Sequence, residues 1–491
     1  MSSYPDTEQT VDTVVDLQAL HAGMLLQRLR SRITQMPSCC WNASPHMFVR
    51  FSVPVDELVS CAASDVPKPI YWLMQFPTVP RIYWRDRLGI HEYAGVGITH
   101  CIQGCSTSVP SLVRYVHYCT GNAPDHVRYY GGMRFYTCNP VLSDTVWSAV
   151  PDAAFTMPLL EFEYNDHDAC VVHCTVMLQQ GQSLSAARHK AAEQLEHLER
   201  HVSLAHNTVV CSDIQQTAVM SRVNAPEHHD WRRNVRVALR EIESGRIEKV
   251  VLARRATMLC RKMLDPLRLL HQLMPYSQHT TAFLLSLTSD AAMIGTTPEM
   301  LYKRSGNIIT TEAIAGTRRR GSTPSDDERM SQELYTSAKD RREHAAVQRY
   351  VAAVLDEITE SFTIGSVDVL QLAHLQHLYA ECSGKLRPEI DDAAIIARLH
   401  PTPAVGGLPR PPALSLLERI EGFDRGWYAA PVGWLNAHAA EFAVAIRSAL
   451  VAERCVHAFS GAGIVAGSEP ETEWQEIEMK ITPILSALYN R

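Results

Sequence analysis

The segment SEPETEWQEIEMK at 468–480 concentrates side chains able to do chemistry. Glu473, Glu476 and Lys480 fall at i, i+3 and i+7, so a helix starting near Ser468 projects all three from one face. Trp474, Ile477 and Ile481 lie on a neighbouring face that can anchor it to a core. GAGIV at 461–465 precedes it and reads as a glycine-rich turn, whose N–H groups around Gly461 and Gly463 can receive a carboxylate. A second acidic pair, Asp340 and Glu343, recurs at i, i+3 in AKDRREHAAVQRYV. Carboxylates from two helices suit a hard ion such as magnesium. The same spacings equally describe two solvated helix faces, since Glu476 and Lys480 make an ordinary i, i+4 pair and Lys339, Arg341 and Arg342 surround the second pair. Lys249 opens the apolar run KVVLARRATM and reads either as a strand end snorkelling to water or as a partly desolvated amine. Glu299, after Pro298 in IGTTPEML, is either a turn carboxylate or a general acid.

Two regions must position these groups. Residues 1–220 are short apolar runs, such as 69–74, separated by Pro, Gly and Ser turns; they read as strands, with one clear helix at 183–200 and no catalytic signature. Residues 221–491 begin with a helix in which Pro226 occupies the first turn and Gly245 ends the periodicity. Strands are expected at 249–258, 282–288 and 291–295, then a hairpin around Gly306 and one long helix over 324–360; the proline-rich 407–414 reads as a surface loop. Strands and helices alternate without a βαβ period. The fold class expected is α+β, with mostly antiparallel sheets packed face to face and helices outside.

The whole chain, 491 residues with 46% hydrophobic content, can bury a large core. Its 46 Lys+Arg against 53 Asp+Glu give a net charge of −7, which offers no polycationic surface for nucleic acid. No apolar run reaches the length of a membrane span, and the first residues show no export signal. Thirteen cysteines, an odd count, fit reduced thiols and a cytoplasmic location. Cys101/Cys105 and Cys170/Cys174, with His173 between the latter, leave a zinc site conceivable in the first region, against buried small thiols as the plainer reading.

Read in order, EKVVLAR (248–254), IGTTPEML (294–301), TEAIAGTRRRG (311–321), AKDRREH (338–344), QHLYAECSGKL (376–386), LHPTPAVGG (399–407), GFDRGWYAAPVGW (422–434), EFAVAIRSA (441–449) and SGAGIVAGSEPETEWQEIEMK (460–480) resemble the chorismate-utilising enzymes. Within them the series is most similar to the isochorismate synthases, over roughly residues 221–486. Lys249 stands where isochorismate and salicylate synthases carry a lysine, and 313–317 lacks the nucleophilic lysine of aminodeoxychorismate synthases. Ala430 departs from the glycine usual in relatives, which would strain a backbone of positive φ.

The resemblance implies that water adds at ring carbon 2 of chorismate while the hydroxyl leaves carbon 4, with Lys249 as general base and Glu299 as general acid. It implies Mg2+ on Glu343 and Glu476, with Asp340 and Glu473 as further ligands. Arg447 and Tyr428 would grip the pyruvyl carboxylate, and Lys480, Gly461 and Gly463 the ring carboxylate, with His377 and Thr317 lining the pocket. Water as nucleophile implies no glutamine amidotransferase subunit. Salicylate synthase, which adds pyruvate elimination, is the nearest rival. The long first region resembles menaquinone-type enzymes more than siderophore-type ones.

Overall fold

The computed structural model describes residues 22–35, 48–55, 68–77, 80–105, 108–121, 123, 127–135, 145–165, 169–178, 183–202, 219–277, 279–371 and 375–489. Their strands form a 12-stranded and a 10-stranded sheet with antiparallel pairings. The architecture is α+β. Both sheets are composites of the two regions. In the larger, strand Arg81–Arg85 pairs with Thr281–Ser286. In the smaller, Tyr129–Met133 pairs with Pro431–Leu435.

Period-two alternation explains how the larger sheet buries both faces. Ile82 and Trp84 join a core that also contains Tyr130, Tyr302 and Phe442 of the smaller sheet, so the two sheets pack face to face. Tyr83, between them, points into a second core covered by helices, including Leu26 and Leu29 of Ala22–Gln35 and Ile481 and Ile484 of Pro470–Tyr489. Strand Lys249–Cys260 is paired on both sides, with Cys455–Ile464 and with Val219–Ala225.

Several local expectations change. The run 69–74 holds a short helix, Pro69–Leu73, because proline at its start favours helical φ and Ile70, Trp72 and Leu73 all bury. The first region also contains helices Ala22–Gln35 and Val109–Thr120 beside Leu184–Glu199. Pro226 precedes helix His228–Glu243, with Glu227 as its N-cap, and Gly245 ends it at φ 72. The long helix is two, Pro324–Thr336 and Ala338–Ile358, because Ser337 leaves helical φ/ψ and its hydroxyl accepts from the Asp340 N–H as the cap of the second. Residues 407–414 are no loop: Gly407–Leu408 pairs with Lys249–Val250, and helix Arg410–Ile420 follows. The last helix is Pro470–Tyr489.

Candidate active site

The ends of these elements enclose a cavity of about 370 Å³, a size that suits a small molecule. Lys249 and Glu299 both line it, as do Asp340, Glu343, Glu473 and Glu476. So do His377, Tyr428, Arg447, Gly461, Gly463 and Lys480. Thr317 is paired with His377 in the strand register, but its side chain lies outside the described residues.

Gly461 and Gly463 do not form the turn expected of them. They belong to strand Cys455–Ile464, opposite Ala253 and Val251. What glycine leaves there is space. A Cβ on Gly463 would stand 2.9 Å from the Lys249 side chain, and one on Gly461 would stand 3.0 Å from the Tyr428 hydroxyl. The Tyr428 ring stacks on Phe459 at 5.2 Å, which fixes where its hydroxyl can be. Burial pushes that phenol above its ordinary range.

At one end of the cavity stands Glu299, in the two-residue passage between strand Ala291–Thr297 of the larger sheet and Met300–Ser305 of the smaller. Thr402 Oγ1 donates to its Oε1 at 3.2 Å. Burial, then the negative charge of Glu312, push its carboxyl up to about 7, while the Thr402 hydrogen bond and Lys249 oppose the rise. A carboxyl in that range holds a proton near neutrality and can deliver it.

The other end carries alternating charges on two helices. Lys249 Nζ donates to Glu343 Oε1 at 2.8 Å, and this lysine holds the carboxyl below its ordinary range. Lys480 donates to Glu476 at 2.6 Å and to the Gly461 carbonyl at 2.7 Å. Arg318 meets Asp340 at 3.0 Å. Burial and then the Glu476 charge push Glu473 up, against the pull of its Ser468 hydrogen bond. Among the described residues no three Asp, Glu, His or Cys side chains converge as a metal centre, because three of these four carboxylates are turned to a cation. The donor set nevertheless fits a hard divalent ion. It is all oxygen, it comes from two helices that line one cavity, and the Glu476 charge that adds to burial in raising Glu473 is one such an ion would offset.

Arg447 is held at φ 50, a left-handed conformation that costs an arginine about 1 kcal/mol or more and is common where a site dictates backbone shape. Burial draws its guanidinium below the ordinary range. His377 Nδ1 lies 3.1 Å from the Gly316 carbonyl; burial, aided by Arg447, lowers its pKa to about 4, so the ring is neutral. Gly316, at φ 73, is where the register of strands Ile308–Arg319 and Leu375–Leu386 shifts. The positive φ expected at Ala430 falls instead on Ala429, at φ 61.

Sequence reasoning missed the supports. Arg425 forks onto Glu421 at 2.5 and 2.7 Å and donates to the Val251 and Val405 carbonyls; Glu421 in turn accepts from the Ala253 N–H at 2.7 Å. This buried pair ties the lysine strand to the 399–407 segment that supplies Thr402. Half of its signal was available, as Arg425 inside GFDRGWYAAPVGW, with Glu421 immediately before that segment. His173 lies on the opposite face of strand Ala169–Met177 from Cys170 and Cys174, so the three cannot share one metal; it meets Ser52 and Glu163 instead.

A family model described as chorismate binding enzyme matches residues 55–489. Among similar proteins is a chloroplastic isochorismate synthase of Catharanthus roseus, 34% identical over 368 residues, which are 74% of this chain and 62% of that protein. The chain therefore spans less than two thirds of that relative's length. Isochorismate synthase MenF of Escherichia coli is 28% identical over 432 residues, 86% of this chain and 93% of that protein. The solved structure of the menaquinone-specific isochorismate synthase MenF from Escherichia coli matches with a TM-score of 0.79 at 24% identity, over 95% of this chain and 100% of that one. At that identity the match establishes the fold.

Proposed function

The chain belongs to the chorismate-binding enzymes, and on that premise we propose that it is an isochorismate synthase, isomerising chorismate to isochorismate for menaquinone synthesis. The observation that carries this reading is the pairing, around one cavity, of a carboxyl pushed up to about 7 with a lysine whose side chain lies over Gly463. The near end-to-end match to MenF supports the menaquinone destination. Among the described residues no helix is long and apolar enough to cross a membrane. A cytoplasmic location, in keeping with the cysteine content, completes the reading.

Lys249 takes a proton from water as its oxygen bonds to ring carbon 2. Glu299 gives its proton to the carbon 4 hydroxyl, which leaves as water while the ring double bonds shift. The water gained at carbon 2 and the water lost from carbon 4 cancel, so the reaction is an isomerisation, and turnover closes when Lys249 gives its proton to solvent and Glu299 takes one back. Lys249 donates to Glu343 as the structure stands, and only its neutral form has the lone pair that takes a proton. Glu343 and Glu476, with Asp340 and Glu473, would hold Mg2+. When bound, that ion supplies positive charge between a dianionic substrate and the four carboxylates. Arg447 offers a planar fork for a substrate carboxylate, with the Tyr428 hydroxyl beside it. Neutral His377 adds a polar wall without adding charge.

Chromatography of the products formed from chorismate tests the assignment. Isochorismate alone is expected, whereas salicylate with pyruvate would make the chain a salicylate synthase. Lys249→Ala should lower kcat by at least about a thousandfold while chorismate still binds. Retained turnover would remove the base.

A further inference from the structure

The acid candidate sits between two strands. Pro298 and Glu299 are the passage from one sheet to the other, and neither lies inside a strand. Two backbone bonds made by Glu299 itself steady it: Val444 N donates to the Glu299 carbonyl at 3.0 Å, and Glu299 N donates to Thr297 Oγ1 at 3.3 Å. The flanking peptide groups are held by something less ordinary. The Pro298 carbonyl accepts from the Arg87 guanidinium, and the Met300 N–H donates to Glu312 Oε1 at 2.6 Å. Arg87 and Glu312 are themselves joined by a two-pronged contact, at 2.8 and 2.6 Å. One ion pair therefore grips the chain immediately before and immediately after Glu299.

The pair spans the two regions. Glu312 lies in strand Ile308–Arg319 with its side chain 1% exposed. Arg87 comes from the tip of the hairpin between Arg81–Arg85 and His91–Val96. That tip is itself built: Asp86 accepts from the Ile90 and His91 N–H groups at 2.9 and 3.2 Å, and Gly89 takes φ 72 to close the turn. A buried ion pair is seldom a net source of stability compared with apolar residues of similar volume. Its geometric product here, two fixed peptide groups either side of a carboxyl, is what apolar packing would not provide.

We propose that Arg87 and Glu312 are positioning residues for the general acid, a clamp through which the first region sets the place of the Glu299 carboxyl. The proposal rests on the reading of Glu299 as the acid. The groups whose charges act on Glu299 are Glu312, Lys249 and Arg87, with the hydroxyl of Thr402 bonded to it and the phenol of Tyr428 nearby. Of the charged ones, Glu312 acts most strongly and favours the proton.

Steady-state kinetics of Glu312→Gln, measured from pH 5.5 to 9 with magnesium and chorismate, test the clamp. Loss of an anchor that holds the peptide groups beside the acid is expected to lower kcat about 10- to 100-fold with KM within about threefold. The limb of kcat/KM on which activity falls with rising pH should move to lower pH, since a negative charge favouring the Glu299 proton is gone while Arg87 remains. Arg87→Lys keeps the charge but not the fork. It should lower kcat less, leave that limb in place, and decide the matter if Glu312→Gln does not fold. Wild-type kcat and an unmoved limb in folded Glu312→Gln, or wild-type kcat in Arg87→Lys where that variant decides, would overturn the clamp. Glu299→Gln separates the two levels: if it turns over normally the acid assignment fails, and if it is inactive while the clamp variants are normal only the clamp fails.

Discussion

The two ends of the cavity are built on opposite principles. At the Glu299 end a single carboxyl stands on strand termini, hydrogen-bonded by Thr402, with its neighbouring peptide groups held from two elements. At the far end, carboxylates on helices Ala338–Ile358 and Pro470–Tyr489 are turned to lysine and arginine partners. The first arrangement sets one proton's affinity by burial. The second sets each of three carboxylates against a lysine or arginine, the place that a bound cation would share. On the proposed function, the first arrangement would place the acid and the second would receive the dianionic substrate with its cation.

That contrast is easiest to break with metal. Chelation should lower activity at least about a hundredfold, and added Mg2+ should restore it and raise the melting temperature. The thermal response should persist in Glu299→Gln and vanish in Glu343→Gln; a response lost in the first variant would mean that the two ends are not separate.

A middle-sized effect concerns proton affinity. Glu299 ordinarily titrates near 4.5 and is pushed to about 7 in the fold. Its stabilising contribution is complete below about 4.5 and is lost as pH rises through about 7, when a buried carboxylate must be carried at a cost of up to roughly 3 kcal/mol. Glu299→Gln should therefore melt close to wild type at pH 5 and increasingly above it by pH 8. A constant offset across that range would show that the acid end is not tuned by burial.

The smallest effect sits beside the cavity. Ala429 at φ 61 bears the left-handed strain, so Ala429→Gly should be neutral or stabilising by up to about 1 kcal/mol, whereas Ala430→Gly should destabilise by about 0.5–1 kcal/mol. Chemical denaturation of both variants decides; the reverse order would put the strain at Ala430.

Much of the candidate site could be read from spacing, because helical periodicity is local. Glu473, Glu476 and Lys480 share a face in any helix, and Asp340 and Glu343 do likewise. The motif order brought Lys249 and Glu299 into one set with them. The glycine pair is visible in the sequence but its role is not, since nothing local distinguishes a turn that donates N–H groups from a strand with space for Lys249 and Tyr428. The helix at 69–73 is hidden for a similar reason: a short apolar stretch satisfies a strand and a buried helix alike, and burial on both sides erases the period that would tell them apart.

By itself the sequence determined the fold class, the acidic faces of two helices and the identity of the groups that meet in the cavity, all of which follow from patterns within one element or from the order of motifs. Only the tertiary structure decided which partner each charge faces and how strongly Glu299 keeps its proton. It alone brought Arg87, 212 residues before Glu299 (299 − 87), to the backbone beside it. The physical reason is that periodicity is set by bonds along the chain, whereas desolvation and ion pairing are set by what lies across the gap between two sheets.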